Sequence, residues 1–231
     1  MKGTAELIIL GYTRFGENRL VVHTLSREYG RRSFLTRVGK GSAMSHFLPL
    51  NIVEATVTEN PKSSLWNASS FSTRYALPGI RDNIYKNTIT LFMSEVLFRT
   101  LKEGAVEEGL YEWCAGSILT LDSLAESFAN FPVRFLLELC ETLGFRPSPE
   151  DVAPFAGENY GPLKALLEAD FAGAMLIPLS GTQRNAIADS LVRYLEFHTE
   201  STLNVKSLKV LREVLTDIYA DGNEKNTRGI P

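Results

Sequence analysis

At 231 residues the chain has room for one large domain or two ordinary ones, and 44% hydrophobic with 22% charged residues is the balance of a folded globular protein, not a disordered one. No run of about 18 apolar residues is present to span a bilayer, and no basic segment followed by an apolar stretch and a cleavage site opens the chain, so a cytoplasmic protein is expected. The net charge of −3 conceals an asymmetry: residues 1–80 carry ten basic against five acidic side chains, a net +5, and the remainder a net −8, so the first third is the part suited to meet a polyanion.

Three short runs rich in Leu, Ile, Val, Thr and Phe open the chain: Glu6 to Thr13, Arg19 to Ser26 and Arg32 to Val38. The joints between them, Arg14-Phe15-Gly16-Glu17-Asn18 and Arg27-Glu28-Tyr29-Gly30, supply the Gly and Asn that tolerate positive φ, which predicts a three-stranded meander. In the third run a period of two puts Arg31, Ser33, Leu35 and Arg37 on one face and Arg32, Phe34, Thr36 and Val38 on the other, so one face is suited to a core and the other is basic. After an irregular connection from Ser42 to Pro49, Leu50 to Val57 alternates like a fourth strand and Leu65 to Thr73 reads as a fifth. Five short strands in about 75 residues is the strand count of an OB-type barrel.

Ala76-Leu77-Pro78-Gly79 ends this pattern, and from about Asp82 the period is helical, with Ile84, Leu91, Val96 and Leu101 recurring alongside Phe92 and Phe98. Further helices are predicted over Glu107 to Leu121 and Pro132 to Leu143, the latter with Pro132 in its first turn and Gly144 as its cap. Arg146 to Pro162, with four prolines, reads as a long connection. A short helix at Leu163 to Phe171 follows, then a pair over Thr182 to His198 and Val205 to Tyr219, with Asn204 as an N-cap of the second. The expected architecture is therefore α+β: an N-terminal five-stranded OB-type β-barrel over 1–78, an all-α helical domain over 79–220, and a flexible tail over 221–231.

Cys114 and Cys140 stand apart in helical segments and are expected to be reduced core thiols, with neither a disulfide nor a metal site. His23, His46 and His198 are scattered over strand, loop and helix end, so no metal triad or catalytic base with its nucleophile can be assembled. Gly39-Lys40-Gly41-Ser42 is not a phosphate-binding P-loop: the glycine required five residues before the final Gly-Lys is replaced by Phe34, and no helix follows at once. A non-catalytic protein without a cofactor is expected.

The ordered set of Arg14-Phe15-Gly16-Glu17-Asn18 between two strands, the Ser26-Arg27-Glu28-Tyr29-Gly30-Arg31 turn, the Gly39-Lys40-Gly41 loop, the helical run from Phe131 to Phe145 and the late run from Val205 to Leu211 resembles the RecO recombination-mediator family over nearly the whole chain. The resemblance implies a bacterial cytosolic, nucleoid-associated DNA repair and recombination protein. It implies binding to single- and double-stranded DNA, annealing of complementary strands and, with RecR, help in loading RecA onto DNA coated by single-strand-binding protein. Some family members hold zinc through four cysteines; this chain has two, so no zinc is carried over.

The residues themselves offer a matching interface. OB-type barrels bind single strands through a positive groove and aromatic platforms. The candidate nucleic-acid-binding groups are Arg14, Arg19, Arg27, Arg31, Arg32, Arg37 and Lys40, one or two of the arginines being expected to pair with Glu17 or Glu28. Phe15 and Tyr29 are possible platforms, or caps on the barrel core. On the helical side the resemblance implies an apolar pocket with a basic rim for the acidic, Phe-ended tail of single-strand-binding protein. Arg134, Lys206, Lys209 and Arg212 are the candidates, the last three reading equally as a solvated helix stripe. The alternative from another class is a protein-interaction adaptor whose OB fold does not itself bind DNA.

Overall fold

The first strand, β1 (Lys2–Arg14), is longer than its partners, and that length lets it serve two neighbours. Its first half pairs antiparallel with β4 (Ile52–Thr58), and its second half with β2 (Arg19–Ser26). A register shift between Ile9 and Gly11 bends the strand as it passes from one partner to the other. β3 (Gly30–Arg37) pairs antiparallel with β2 and, through Phe34–Trp66 and Leu35–Asn67, parallel with β5 (Trp66–Thr73), which returns antiparallel to β4. The computed structural model, which describes residues 2–39 and 44–214, thus holds a closed barrel of strand order β1-β2-β3-β5-β4, the OB-type topology expected. Alternation does the work inside: Leu7 and Ile9, Leu20 and Val22, Phe34, and Val53, Ala55 and Val57 meet in one buried cluster, closed from below by Phe47 of the 3₁₀ turn Met44–Phe47.

The chain divides into two compact units, one of Met1–Pro78 with Met93–Asp122, the other of Gly79–Phe92 with Ser123–Pro231. The change from strand to helix therefore falls near residue 78, while the compact unit built on the barrel also takes in later helical sequence. After α1 (Pro78–Arg81) come α2 (Ile84–Thr100) and α3 (Leu110–Ser123). Along α2 the buried stripe is Ile89, Phe92, Met93, Val96 and Leu97, at spacings of three and four. Ile84 and Leu91, expected on that stripe, lie on the solvent side, 67% and 46% exposed.

Within the barrel unit, β3 leaves its edge open before β5 joins it at Phe34, and the segment after α2 closes that edge. Gly104 N–H donates to the Arg31 carbonyl at 2.8 Å, and the Glu103 Oε1 accepts the Ser33 N–H at 2.9 Å. Gly30 is required at this seam. Its φ is +60, and a Cβ there would sit 1.7 Å from the Ala105 carbonyl oxygen.

In the second unit α4 (Phe131–Thr142) and α5 (Pro149–Ala156) pack against α8 (Gly181–Thr199). Pro132 occupies the first turn of α4, as expected. Gly144, at φ +88, ends the helix in a Schellman motif, its N–H on the Glu141 carbonyl and that of Phe145 on the Cys140 carbonyl. The connection expected over 146–162 is instead helical: α5, a 3₁₀ turn Gly157–Asn159 and the start of α6 (Tyr160–Glu168). Two of the prolines that suggested a break, Pro149 and Pro162, lie in first helical turns, where the missing N–H has no partner to lose, and Ser148 with Asp151 forms a capping box. The short helix expected at Leu163 to Phe171 likewise starts earlier, and a separate α7 (Phe171–Leu176) follows it under an Asp170 cap. Residues 207–214 are helical, and Asn204, at φ +40, lies ahead of that helix and does not have the extended backbone of an N-cap. The expected tail over 221–231 lies outside the described residues.

One buried polar knot organises this unit. Asn130 donates to the carbonyls of Ala174 (2.9 Å) and Ile177 (2.8 Å) and accepts the Arg184 Nε–H at 2.9 Å, while Arg184 Nη2 donates to the Leu179 carbonyl at 2.6 Å. Cys114 and Cys140 are both buried free thiols, and burial pushes each thiol up to about 12.

Candidate nucleic-acid interface

The turn between β1 and β2 gathers cations because of how its hairpin closes. Gly16 at φ +73 reverses the chain, Phe15 N–H donates to the Arg19 carbonyl at 2.9 Å, and Val38 N–H donates to the Asn18 carbonyl at 3.0 Å, tying the end of β3 to the same turn. Arg14 ends β1, Arg19 begins β2 and Arg37 ends β3, and the register sets Arg19 directly opposite Arg37. Directly opposed residues in an antiparallel pair project to the same face, so the two arginine side chains leave the sheet on the same side. All three arginines are exposed, and among the described residues none of them makes an ion pair.

Beside them lies a groove of about 520 Å³. Arg19 and Arg37 form one rim, Leu35, Thr36 and Val38 one wall, and Asn67, Ser69, Ser70 and Phe71 the other, with His46 and Phe47 at its end. The groove runs between β3 and β5, with Arg19 at the start of β2 on its rim, and so opens beside the turn between β1 and β2, one of the loops with which OB folds receive oligonucleotides.

The other arginines are occupied toward the far end of the β2–β3 hairpin, roughly 17–26 Å away at the rise of an extended strand. Arg27 donates its Nε–H to Glu112, lies 5.2 Å over the Tyr111 ring, and is held above the usual arginine range chiefly by that hydrogen bond. Arg31 donates to the Glu103 Oε2 at 2.9 Å and lies 4.5 Å over the Phe98 ring, its side chain only 12% exposed. Arg32 is on the inward-facing parity of β3 and stacks 4.3 Å over Trp66. The carboxylates that take Arg27 and Arg31 are thus Glu112 and Glu103, distant in sequence, where Glu17 or Glu28 had been expected. Lys40 lies outside the described residues. Of the two possible platforms, Tyr29 packs on the barrel core and edge-on to Trp66 at 5.1 Å, whereas Phe15 is 51% exposed.

Sequence reasoning missed the wall built by β5 and the 3₁₀ turn. Its signal was weak but present: Trp66 to Thr73 carries Asn and Ser where a strand buried on both faces would be apolar. A bulge between Glu54 and Thr56, with Ser70 at φ +55, turns Ser69 and Ser70 outward together.

On the helical unit, a second groove of about 700 Å³ is lined by Phe155, Val192, Val205 and Leu208 with Arg193, Lys209 and Arg212 among the polar groups. Arg212 is paired with Asp189. Two of the four expected partner-binding residues, Lys209 and Arg212, meet in this groove; Lys206 and Arg134 are not among its lining. Arg134 instead grips Glu138 at 2.6 Å and the Ala169 carbonyl at 3.0 Å. Among the described residues no three His, Cys, Asp or Glu side chains group in a way that could hold a metal ion, and no helix is long and apolar enough to cross a membrane.

A closed five-stranded barrel with an arginine-rimmed groove, followed by helices, defines an OB-fold protein of the α+β class. Residues 1–73 match the family model described as recombination protein O N terminal, and residues 81–151 the one described as recombination protein O C terminal. DNA repair protein RecO of Phocaeicola vulgatus is 28% identical over 90% of this chain and 97% of its own length, and that of Bacteroides fragilis 28% over 90% and 96%. DNA repair protein RecO of Flavobacterium johnsoniae is 24% identical over 94% of this chain and its own full length. The chain belongs to the RecO family, and its role is in DNA repair and recombination.

Proposed function

We propose that this protein binds DNA in the barrel groove, single strands and duplex alike, anneals complementary strands, and with RecR helps load RecA onto DNA coated by single-strand-binding protein. The observation that carries the reading is the Arg19–Arg37 pair: two like charges set directly opposite one another on a groove rim cost stability, and an anion between them removes that cost. Arg14 joins them as a third phosphate contact. Phosphates would run along the cationic rim and bases would lie toward Leu35, Val38 and Phe71, the division of labour of OB folds that hold single strands. Arg27, Arg31 and Arg32 serve the barrel first, through Glu112, Glu103 and Trp66.

The helical unit supplies the partner site. The acidic, Phe-ended tail of single-strand-binding protein would lay its apolar end against Val205 and Leu208 and its carboxylates against Lys209, Arg212 and Arg193. No chemistry is required of the protein in this scheme, which works in the bacterial cytosol by holding strands and partners together. Anisotropy of a labelled single-stranded oligonucleotide, titrated at several salt concentrations, tests the DNA contact; tight binding that weakens steeply with salt is expected. Absence of binding at low salt would remove that contact and leave an adaptor acting through the helical groove alone.

A further inference from the structure

The β1–β2 hairpin carries an aromatic ring that the barrel does not use. Phe15 sits at its tip, 51% exposed and outside the core cluster that Tyr29 and Trp66 join. Its position is fixed: its own N–H closes the hairpin on the Arg19 carbonyl at 2.9 Å, Gly16 turns the chain immediately after it, and the Arg19 guanidinium lies over its ring, 5.0 Å from the centroid. Arg19 is also a rim residue of the groove. One side chain therefore links the exposed ring to the groove mouth and to the opposed Arg37.

We infer that Phe15 is a stacking platform for an unpaired base, adding to the phosphate contacts that both forms share a contact that only a single strand can make. The inference rests on the groove's binding DNA, and deepens that reading by naming the residue that strengthens its hold on single strands. An aromatic face stacks on any base that is free of its neighbours, a contact that a single strand offers and a base inside a duplex does not. The guanidinium over the ring contributes its own attraction for the base and the adjoining phosphate. Two neighbouring rings are packed against the barrel: Tyr12 is edge-on to Phe47 at 6.3 Å, and Tyr29 is edge-on to Trp66. In annealing, a base held on Phe15 is kept out of the stack and open to a complementary strand.

The test compares full-length wild type, Phe15→Ala and Phe15→Trp on an oligothymidylate and on a duplex of equal length, by anisotropy at one fixed salt concentration. Phe15→Ala is expected to lose on the order of tenfold or more in affinity for the single strand while its duplex affinity stays within about twofold. Phe15→Trp is expected to keep single-strand affinity, and its added emission, above that of Trp66 and Trp113, to be quenched by the single strand and not by the duplex. Thermal melts check that both variants fold, as an exposed position permits. Unchanged single-strand binding by Phe15→Ala, or an equal loss on both forms, would overturn the platform while leaving the groove reading standing. Failure of the wild type to bind either form would overturn the groove reading itself.

Discussion

Arg19 and Arg37 face one another across β2 and β3 at the rim of the barrel groove, with no carboxylate between them among the described residues. Like charges in this register destabilise a sheet by about 0.2–1 kcal/mol. Replacing Arg37 with Gln, which keeps much of the aliphatic stem, should therefore raise the free energy of unfolding by a few tenths of a kcal/mol while lowering affinity for an oligonucleotide. Urea denaturation read beside anisotropy checks the pair of signs; a variant both less stable and undiminished in binding would contradict the assignment.

Glu103 is the counterpart at the other end of β3, where one carboxylate serves both the Arg31 guanidinium and the Ser33 amide. Glu103→Ala strips the one acidic partner that the described residues give a guanidinium that is 12% exposed and loosens the barrel edge, and should cost about 1–3 kcal/mol. Since Arg31 is held against Glu103 and Phe98, Arg31→Ala should lower the melting temperature while leaving the salt dependence of oligonucleotide binding close to that of wild type.

Gly30→Ala should be worse. The substitution forces a side chain into left-handed backbone and sets its Cβ 1.7 Å from the Ala105 carbonyl oxygen. Left-handed strain of about 1–2 kcal/mol and an overpacking cost of about 1–3 kcal/mol add to a loss of about 3 kcal/mol, or on the order of 10 °C in melting temperature for a chain of this size. A calorimetric scan measures it directly.

His23 makes the barrel sensitive to mild acid. Its ring nitrogens lie 3.2 Å from the Thr13 hydroxyl and 3.0 Å from that of Ser33, its ring packs 4.7 Å from Phe98, and Arg31 and Glu103 face it. Burial first, then the Arg31 charge, holds its pKa below the usual histidine value, Glu103 opposing. The unfolded chain takes up a proton near pH 6.5 while the folded ring stays neutral, so stability is intact above about pH 6.5 and falls as the pH drops below it. His23→Gln should flatten the fall in melting temperature between about pH 7 and pH 5 relative to wild type.

The barrel was legible because period-two alternation and glycine-bearing turns act over a few residues, and each strand from β1 to β5 was found within about four residues of its observed ends. The prolines of 146–162 misled because a breaker inside a helix is harmless in its first turn, a distinction that rests on where Ser148 begins the cap. In the candidate site, Arg14, Arg19 and Arg37 were legible as basic residues near turns, but not as a group apart from Arg27, Arg31 and Arg32. What separates them is Glu112 and Glu103, 85 and 72 residues beyond Arg27 and Arg31, and for Arg32 the Trp66 ring on β5. The Asn130–Arg184 knot was unreadable for the same reason, its members being 54 positions apart. Removing it with Asn130→Ala should cost about 1–3 kcal/mol by leaving a buried guanidinium short of an acceptor.

The salt dependence of single-strand affinity counts the cations that meet phosphate. Wild type should show a log-log slope that the Arg19→Ala, Arg37→Ala double variant reduces by about 1.4, at roughly 0.7 per phosphate contact on a single strand, with affinity falling in parallel. The same double substitution with an unchanged slope, or an equal reduction from Arg27→Ala and Arg31→Ala instead, would contradict the placement of DNA on the Arg19–Arg37 rim.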